Sequence, residues 1–548
     1  MSNTKTIAKN SGWFGLENII NAVVQIFTSI LINNYLGPEK NGYLIYVSYI
    51  AGVVSTLGAL GVSATTRKYM AEYIGMGHRG VARTIFWHTL LLQTGLATLA
   101  TSGLLVWVLR DATPEYKLAS VLLVLSIWPA MVNAIPACTN VATEDFAANM
   151  PASVTSTAVY FLAISVTVVF HWNVTGVGMS LLVMRLVDFL VRFFPTVRRV
   201  LAWEAAEAYP PGLRKRMIDF TRAGVLSMIV SMIVWGRSEI VLLKWLCGDI
   251  RQVSFYSLAF TMSDQLLLGA TVFGGAAGAT IFAQYGRDKS RLPAITASTF
   301  RYLALTSIPL HFIAASLAAP ALLVVYGSKF QDAVLVVTIA PLMCMFKAFA
   351  NPAQNLLQSW ERQRYVIGAT VLAGAVDIGV AWYFIRGYGA LGASYGNGAA
   401  QATAVGIMWF AAIYLYHVKL PWVQVAKIAF GSAIASLAAH VIATFTIRWT
   451  APYTDRMVAS HLPHFLVSHT AQIASRLAPL PGILAGGCAA LLVLLGLFYL
   501  LRVLEPEDRD RFHILTRMLP KPVAASVNKA LSVLIRPQFG AIAPDNAL

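Results

Sequence analysis

Three cations mark one apolar stretch of the chain as a place where chemistry can happen. Arg222, Arg237 and Lys244 lie within or beside residues 218–246, which are otherwise mostly apolar. At 100° per residue on a helix they fall within about 80° of one another. Such a stripe suits an anionic group, whose desolvation without a partner would be prohibitive. Arg222 and Lys244 are close enough to the ends to snorkel toward water. Arg237 is deeper, and it is read either as part of an aqueous, anion-attracting cavity or as half of an interhelical ion pair. On the same wheel Glu239 falls almost opposite Arg237 and cannot neutralise it through one face.

Ionisable groups inside an apolar span are costly and usually face an interior, a watery cavity or a partner. Lys347 shares a helix face with Asn351, Gln354, Asn355 and Gln358. Glu17, Asn21, Gln25 and Thr28 draw a polar stripe on another apolar helix. Each stripe either lines a cavity, with Glu17 as a proton or sodium site, or supplies interhelical hydrogen bonds. Asp264 and Asp377 have no local partner. Each is expected to pair with Arg237 or Lys347 across helices, or to carry a coupling ion. Arg185 and Asp188, at i and i+3, are expected to form a structural ion pair, and His88 to be a packed or hydrogen-bonded histidine.

No cofactor and no metal site are expected. Cys138, Cys247, Cys344 and Cys488 have no metal-type spacing. His461, His464 and His469 lack an accompanying carboxylate or thiol at a recognised spacing. Asp508-Arg509-Asp510 reads as solvated charge.

The elements that position these groups are membrane helices. Of the 548 residues 57% are hydrophobic and 12% charged, with a mean hydropathy of +0.65, whereas in soluble domains about a quarter are charged. Crossing about 30 Å of hydrocarbon takes roughly 20 apolar residues, and about fourteen such stretches recur between residues 11 and 502. The expected class is an all-α polytopic membrane protein. No cleavable signal peptide is read at the start, because polar Met1–Asn10 runs into an apolar stretch too long for one.

An internal repeat organises the spans. Ser63–Tyr73 returns in weakened form at Gly275–Tyr285, Pro129-Ala130-Met131 at Pro341-Leu342-Met343, and Gly176–Ser180 at Ala390–Ser394. The offsets are nearly constant, about 212 to 214 residues, as expected of a duplicated bundle. The predicted divisions are a six-helix lobe over 1–197, a basic linker over 198–217, a second six-helix lobe over 218–416, two further helices with an outer interfacial segment over 417–502, and a tail over 503–548. Pro129, Pro136, Pro341 and Pro352 are expected to bend the matched helices 4 and 10.

The net charge of +17 would suggest nucleic acid in a soluble protein. Here placing the N-terminus inside puts most Lys and Arg in the cytoplasmic loops, so both termini are expected there and no nucleic-acid partner is needed. The acidic loop Thr143-Glu144-Asp145-Phe146 dissents from that topology.

Leu36-Gly37-Pro38-Glu39-Lys40-Asn41-Gly42-Tyr43, the glycine-rich helix after it and Arg67–Glu72 resemble the opening of the polysaccharide-transport (Wzx-type) flippases of the multidrug/oligosaccharidyl-lipid/polysaccharide (MOP) exporter superfamily. Gln354–Gln363 and Gly389–Ala393 are similar to that family's segments after helix 10 and at the start of helix 12. Asn41 departs from it, standing where an aromatic or acidic residue is more usual.

The resemblance implies two six-helix lobes around a central cavity. It further implies alternating-access movement of a polyprenyl-pyrophosphate-linked oligosaccharide, an O-antigen, exopolysaccharide or capsule repeat unit, from the inner to the outer leaflet of a bacterial plasma membrane. Membrane lipids, a polysaccharide polymerase and glycosyltransferases are the partners it suggests. A multidrug cation antiporter or a lipid II flippase of the same superfamily are the rival readings. A membrane glycosyltransferase or polymerase is a distant one, since the longest outer loop holds only Asp455 as an acid.

Overall fold

The computed structural model describes residues 2–461, 470–505 and 508. The described residues are 89% helical, and no strand occurs among them. The helices are α1 (Ser2–Gly58), α2 (Val62–Gly75), α3 (Arg79–Asp111), α4 (Pro114–Leu125), α5 (Ile127–Ala142), α6 (Met150–Val169), α7 (Asn173–Leu201), α8 (Leu213–Trp235), α9 (Glu239–Leu246), α10 (Arg251–Leu266) and α11 (Leu268–Arg287). They continue with α12 (Leu292–Tyr326), α13 (Val334–Cys344), α14 (Ala350–Ser359), α15 (Gln363–Tyr388), α16 (Ala390–Tyr416), α17 (Trp422–His461), α18 (Thr470–Leu477) and α19 (Leu480–Leu500).

Ten described helical segments are long and apolar enough to cross a membrane, or twelve when two bent pairs each count as one span. Fourteen is not reached by this measure, for two local reasons. Expected helices 1 and 2 both lie within α1 as two helices parted at the non-helical Gly37 (φ 72°, ψ 177°), and this measure takes them together. A positive φ suits glycine, and Pro38 offers no N–H to the ladder, so one helix ends at Gly37 and the next opens on Pro38. Expected helix 7 is divided into α8 and α9. α8 opens with Arg214, Lys215, Arg216, Asp219 and Arg222, and α9 has only 8 residues.

The matched helices 4 and 10 are both interrupted, at different places. One breaks at Ser126, three residues before Pro129. The other passes through a 3-10 turn, Met345–Phe349, between Pro341 and Pro352. A proline tolerates the first turn of a helix, where its missing N–H is not needed, and this favours restarting a helix just upstream of it.

By internal packing the chain falls into two compact units, Met1–Ser257 with Gly374–Gly396, and Leu258–Ala373 with Asn397–Leu548. In the first, Met70, Ile85, Phe86 and Ile135 are fully buried at the centre. Small residues bring its helices close: a Cβ on Gly178 would lie 2.7 Å from the Ala119 carbonyl oxygen. The linker after α7 is tied to α3, where Arg83 Nη1 donates to the Trp203 carbonyl at 3.1 Å and Thr84 Oγ1 to that of Glu207 at 2.7 Å. Asp145 of the dissenting acidic loop pairs with Arg199 at 3.0 Å, so its charge is matched by the basic linker. The expected Arg185–Asp188 pair gives way to Arg192, whose Nη2 lies 2.8 Å from Asp188 Oδ1 at i+4. Asn133 Nδ2 donates to the other oxygen at 2.8 Å.

In the second unit α12 packs with α17 and α19, the expected helices 13 and 14. Cβ atoms on Gly482 and Gly486 of α19 would each sit 2.7 Å from carbonyl oxygens of α17. α17 continues to His461, into the segment expected to be interfacial. The rest of that segment through His464 and His469, and the tail beyond Asp508, lie outside the described residues. Asp508 itself is not solvated. It is fully buried, accepting from Arg301 Nη1 at 3.0 Å and from Tyr302 Oη. Arg301, buried within α12, would otherwise be an unneutralised charge, and that requirement draws the acid in. Outward-facing apolar side chains such as Leu91 and Phe445 are more than 70% exposed, as suits contact with lipid tails.

Candidate functional site

The site forms where one helix stops and another starts. α8 ends at Trp235, Gly236 is extended (φ −91°, ψ −152°), and α9 begins at Glu239. A Cβ on Gly236 would lie 2.2 Å from the Met232 carbonyl oxygen, so the break depends on glycine. It also removes the single helical wheel on which Arg222, Arg237 and Lys244 shared a face and Glu239 opposed them. The thirteen residues of α8 that follow Arg222, through Trp235, alone span about 20 Å, too far for one phosphate to meet both Arg222 and Arg237.

Arg237 sits in the break and donates from Nη1 to Ser257 Oγ at 2.9 Å. Beside it Ser238 Oγ donates to Asp377 Oδ2 at 3.0 Å. Glu239, the first residue of α9, is fully buried and accepts from Tyr256 Oη at 2.8 Å. Asp377 on α15 is 1% exposed, and its carboxyl neighbours that of Glu239. Glu239 Oε1 and Asp377 Oδ1 are buried without a hydrogen-bond partner among the described residues. Tyr49 of α1 lies within electrostatic reach of Glu239, Asp377 and Arg237.

Two neighbouring buried carboxyls repel when both are ionised, and a proton on one of them relieves this. A small cation is the other species that would satisfy both orphan oxygens. The arrangement therefore joins a proton- or cation-holding pair to a guanidinium two residues away along the chain. Asp377 is the expected ion-coupling candidate, and its partners are Glu239 and Ser238, not Arg237 or Lys347. Glu239 was missed because a continuous wheel turned it away. The Gly236 break was the one available signal.

The remaining candidates are dispersed. Lys347, in the 3-10 turn, pairs with Asp264 at 3.0 Å and lies 5.6 Å from the Phe260 ring centre, so these two neutralise each other. Asn351 and Asn355 of α14 pack on α11, where Cβ atoms on Gly274 and Gly278 would come within 2.9 and 2.4 Å of their Nδ2 atoms. Gln354 and Lys244 are half-buried. Asn21 bonds α6, donating to Ser153 Oγ at 2.7 Å and accepting from Thr157 Oγ1 at 2.9 Å. Gln25 is exposed, and the side chain of Glu17 lies outside the described residues. Arg222 is exposed and lines a separate cleft. No cluster of three metal-ligating side chains occurs among the described residues.

No family model matches the chain, and no curated protein matches it by sequence. Its fold does match solved structures. A lipid II flippase MurJ in an inward closed conformation aligns with a TM-score of 0.65 at 14% identity, over 88% of this chain and 98% of that one. An inward-facing multidrug resistance MATE family transporter of the MOP superfamily aligns at 0.59 and 14% identity, over 72% of this chain and 94% of that one. An outward-facing MATE structure aligns at 0.52 and 15%, over 76% and 96%. The fold is thus the all-helical MOP-type transporter fold, in a multi-pass membrane protein.

Proposed function

We propose that this chain is a flippase of a bacterial plasma membrane, with both termini cytoplasmic, moving a polyprenyl-pyrophosphate-linked oligosaccharide from the inner to the outer leaflet. The 1–197 and 218–416 repeats act as the alternating lobes. Arg237 attracts the anionic head group, and the Glu239–Asp377 pair takes up and releases a proton or sodium ion. The observation that carries this reading is that pair, buried beside a guanidinium at a helix break, in a MOP-type fold. Half-buried Lys347, being neutralised by Asp264, has a lesser role than Arg237. Glycosyltransferases and a polymerase would supply and consume the substrate.

A second reading, a lipid II flippase, is favoured by one observation. The likeness to the MurJ structure extends over 88% of the chain, against 72% for the inward-facing MATE structure. The same difference weighs against a multidrug antiporter.

The test is reconstitution in liposomes with fluorescent polyprenyl-linked oligosaccharide and, separately, fluorescent lipid II. Arg237→Ala is expected to slow flipping about tenfold or more, a loss of roughly 1.4 kcal/mol or more of differential binding. Asp377→Asn should remove the dependence on an imposed proton or sodium gradient. Undiminished flipping by Arg237→Ala would sink the cationic site. Movement of lipid II alone would establish the second reading, and efflux of cationic dyes without lipid movement the antiporter.

A further inference from the structure

A cleft of about 600 Å³ opens in the first unit, far along α8 from the carboxyl pair. Its walls come from α2, α3, the end of the linker and α8. Arg214, Arg222, His88 and Tyr209 share its lining with apolar Leu92 and Ile218, Ile218 falling between the two arginines on α8 and Leu92 one turn from His88 on α3. The two arginines are eight residues apart on α8, about 12 Å along its axis and some 80° around it, so both can reach toward one group held between them. Neither has an ion pair or side-chain hydrogen bond among the described residues. This contrasts with the neighbouring Arg216, which is engaged by Glu72 at 3.0 Å.

The walls are built rather than incidental. Thr65 and Thr221 hydrogen-bond across the cleft between α2 and α8 at 2.7 Å. The His88 ring meets that of Tyr209 edge-on at 5.1 Å, and the linker carrying Tyr209 is pinned to α3 by Arg83 and Thr84. Leu92 and Ile218 remain 53% and 42% exposed, so apolar surface is left uncovered next to unpaired positive charge.

We infer that this cleft binds a resident anionic phospholipid, its phosphate between Arg214 and Arg222 and an acyl chain along Leu92 and Ile218, bracing the linker against α3 and α8. The charge selects the occupant. A guanidinium pair complements a phosphate monoanion and is strengthened where water is scarce, and basic pockets between membrane helices on the cytoplasmic side are suited to lipid head groups. A zwitterionic head group would place its own cation against the arginines, and a free phosphate would leave the apolar wall bare. The proposal is independent of which substrate the protein carries.

The test uses the purified full chain in detergent, with the thermal unfolding midpoint read as phosphatidylglycerol, phosphatidylcholine or inorganic phosphate is added. Phosphatidylglycerol is expected to raise the wild-type midpoint by several degrees, with neither of the others doing so. The double variant Arg214→Gln/Arg222→Gln should lose the shift, its affinity for phosphatidylglycerol falling about tenfold or more. Leu92→Trp, which fills part of the cleft and keeps both charges, should lose it too, while Arg287→Gln/Arg291→Gln in the second unit should keep it. An equal response to phosphatidylcholine, an equal response to inorganic phosphate, or a shift retained by the Arg214/Arg222 variant would each overturn the proposal. Should that variant fold poorly, native mass spectrometry of the Leu92→Trp protein decides: retained phosphatidylglycerol adducts count against the cleft, and their loss supports it.

Discussion

At the scale of single residues, the Glu239–Asp377 pair is held by donors that each serve one oxygen. Tyr256 satisfies Glu239 Oε2 and Ser238 satisfies Asp377 Oδ2, leaving one oxygen of each acid buried without a hydrogen-bond partner among the described residues. Removing a donor should therefore cost more than the net worth of a hydrogen bond, because the abandoned acceptor stays buried. Tyr256→Phe is expected to destabilise by about 1–3 kcal/mol, visible as a lower unfolding midpoint in detergent. Asp377→Asn keeps a group able to donate to Glu239 and should fold nearly as well as wild type. Asp377→Leu strands both Glu239 and Ser238 and should be markedly less stable. If Asn and Leu behaved alike, the contact between the acids would have no structural weight.

At the scale of elements, helices in this chain meet through small residues, and the close approaches differ sharply from open ones on the same helix. A Cβ on Gly42 of α1 would lie 2.2 Å from the carbonyl oxygen of Ile250, at the start of α10, whereas one on Gly52 has nothing within 4 Å. Backbone cannot swing aside as a side chain can. Gly42→Ala is thus expected to lower the unfolding midpoint by several degrees, and Gly52→Ala to leave it unchanged or slightly raised by the better helix propensity of alanine. Comparing the two variants in one detergent checks this, and equal midpoints would refute it. The same logic explains why α8 and α9 are separate: with Gly236 pressed on the Met232 carbonyl, the chain leaves the helix and sets Arg237, Ser238 and Glu239 in new directions.

At the scale of the whole molecule, the residues following α19 are anchored to α12 of the second unit by buried charge. Arg301 is met by Asp508 and by Glu505 at 3.2 Å, and Gln424 donates to Glu505. Burial alone would raise the Asp508 carboxyl, but hydrogen bonds from Arg301 and Tyr302 outweigh it and hold the group below its usual value. A depressed folded-state value means the stabilisation is complete above the unfolded carboxylate range, near 4, and is lost as pH falls through the folded value. The segment around 503–508 should accordingly resist cleavage at neutral pH and yield to an acid-active protease only well below pH 4. Arg301→Met leaves Asp508 buried without its cation, which typically costs about 3–5 kcal/mol, and should make that segment cleavable at pH 7. Unaltered resistance would show that the anchor lies elsewhere.

Much of this architecture is legible in the sequence. Hydropathy alone requires an all-helical membrane protein, because only paired backbone survives in hydrocarbon. Asp377 stands out as a charge without a local partner. What the sequence cannot settle is partnership. Lys347 and Asp264 are 83 residues apart, Ser238 and Asp377 139, and Arg301 and Asp508 207. Helical periodicity reports the face a residue occupies on its own helix and is silent on what that face meets. It also fails wherever the helix itself stops, as at Gly236. The sequence by itself determined the class of fold and the costly charges that must be placed. Only tertiary structure decided which of those charges cancel, which pair becomes a site, and which arginines are left facing a cleft, because desolvation is relieved by neighbours in space rather than in the chain.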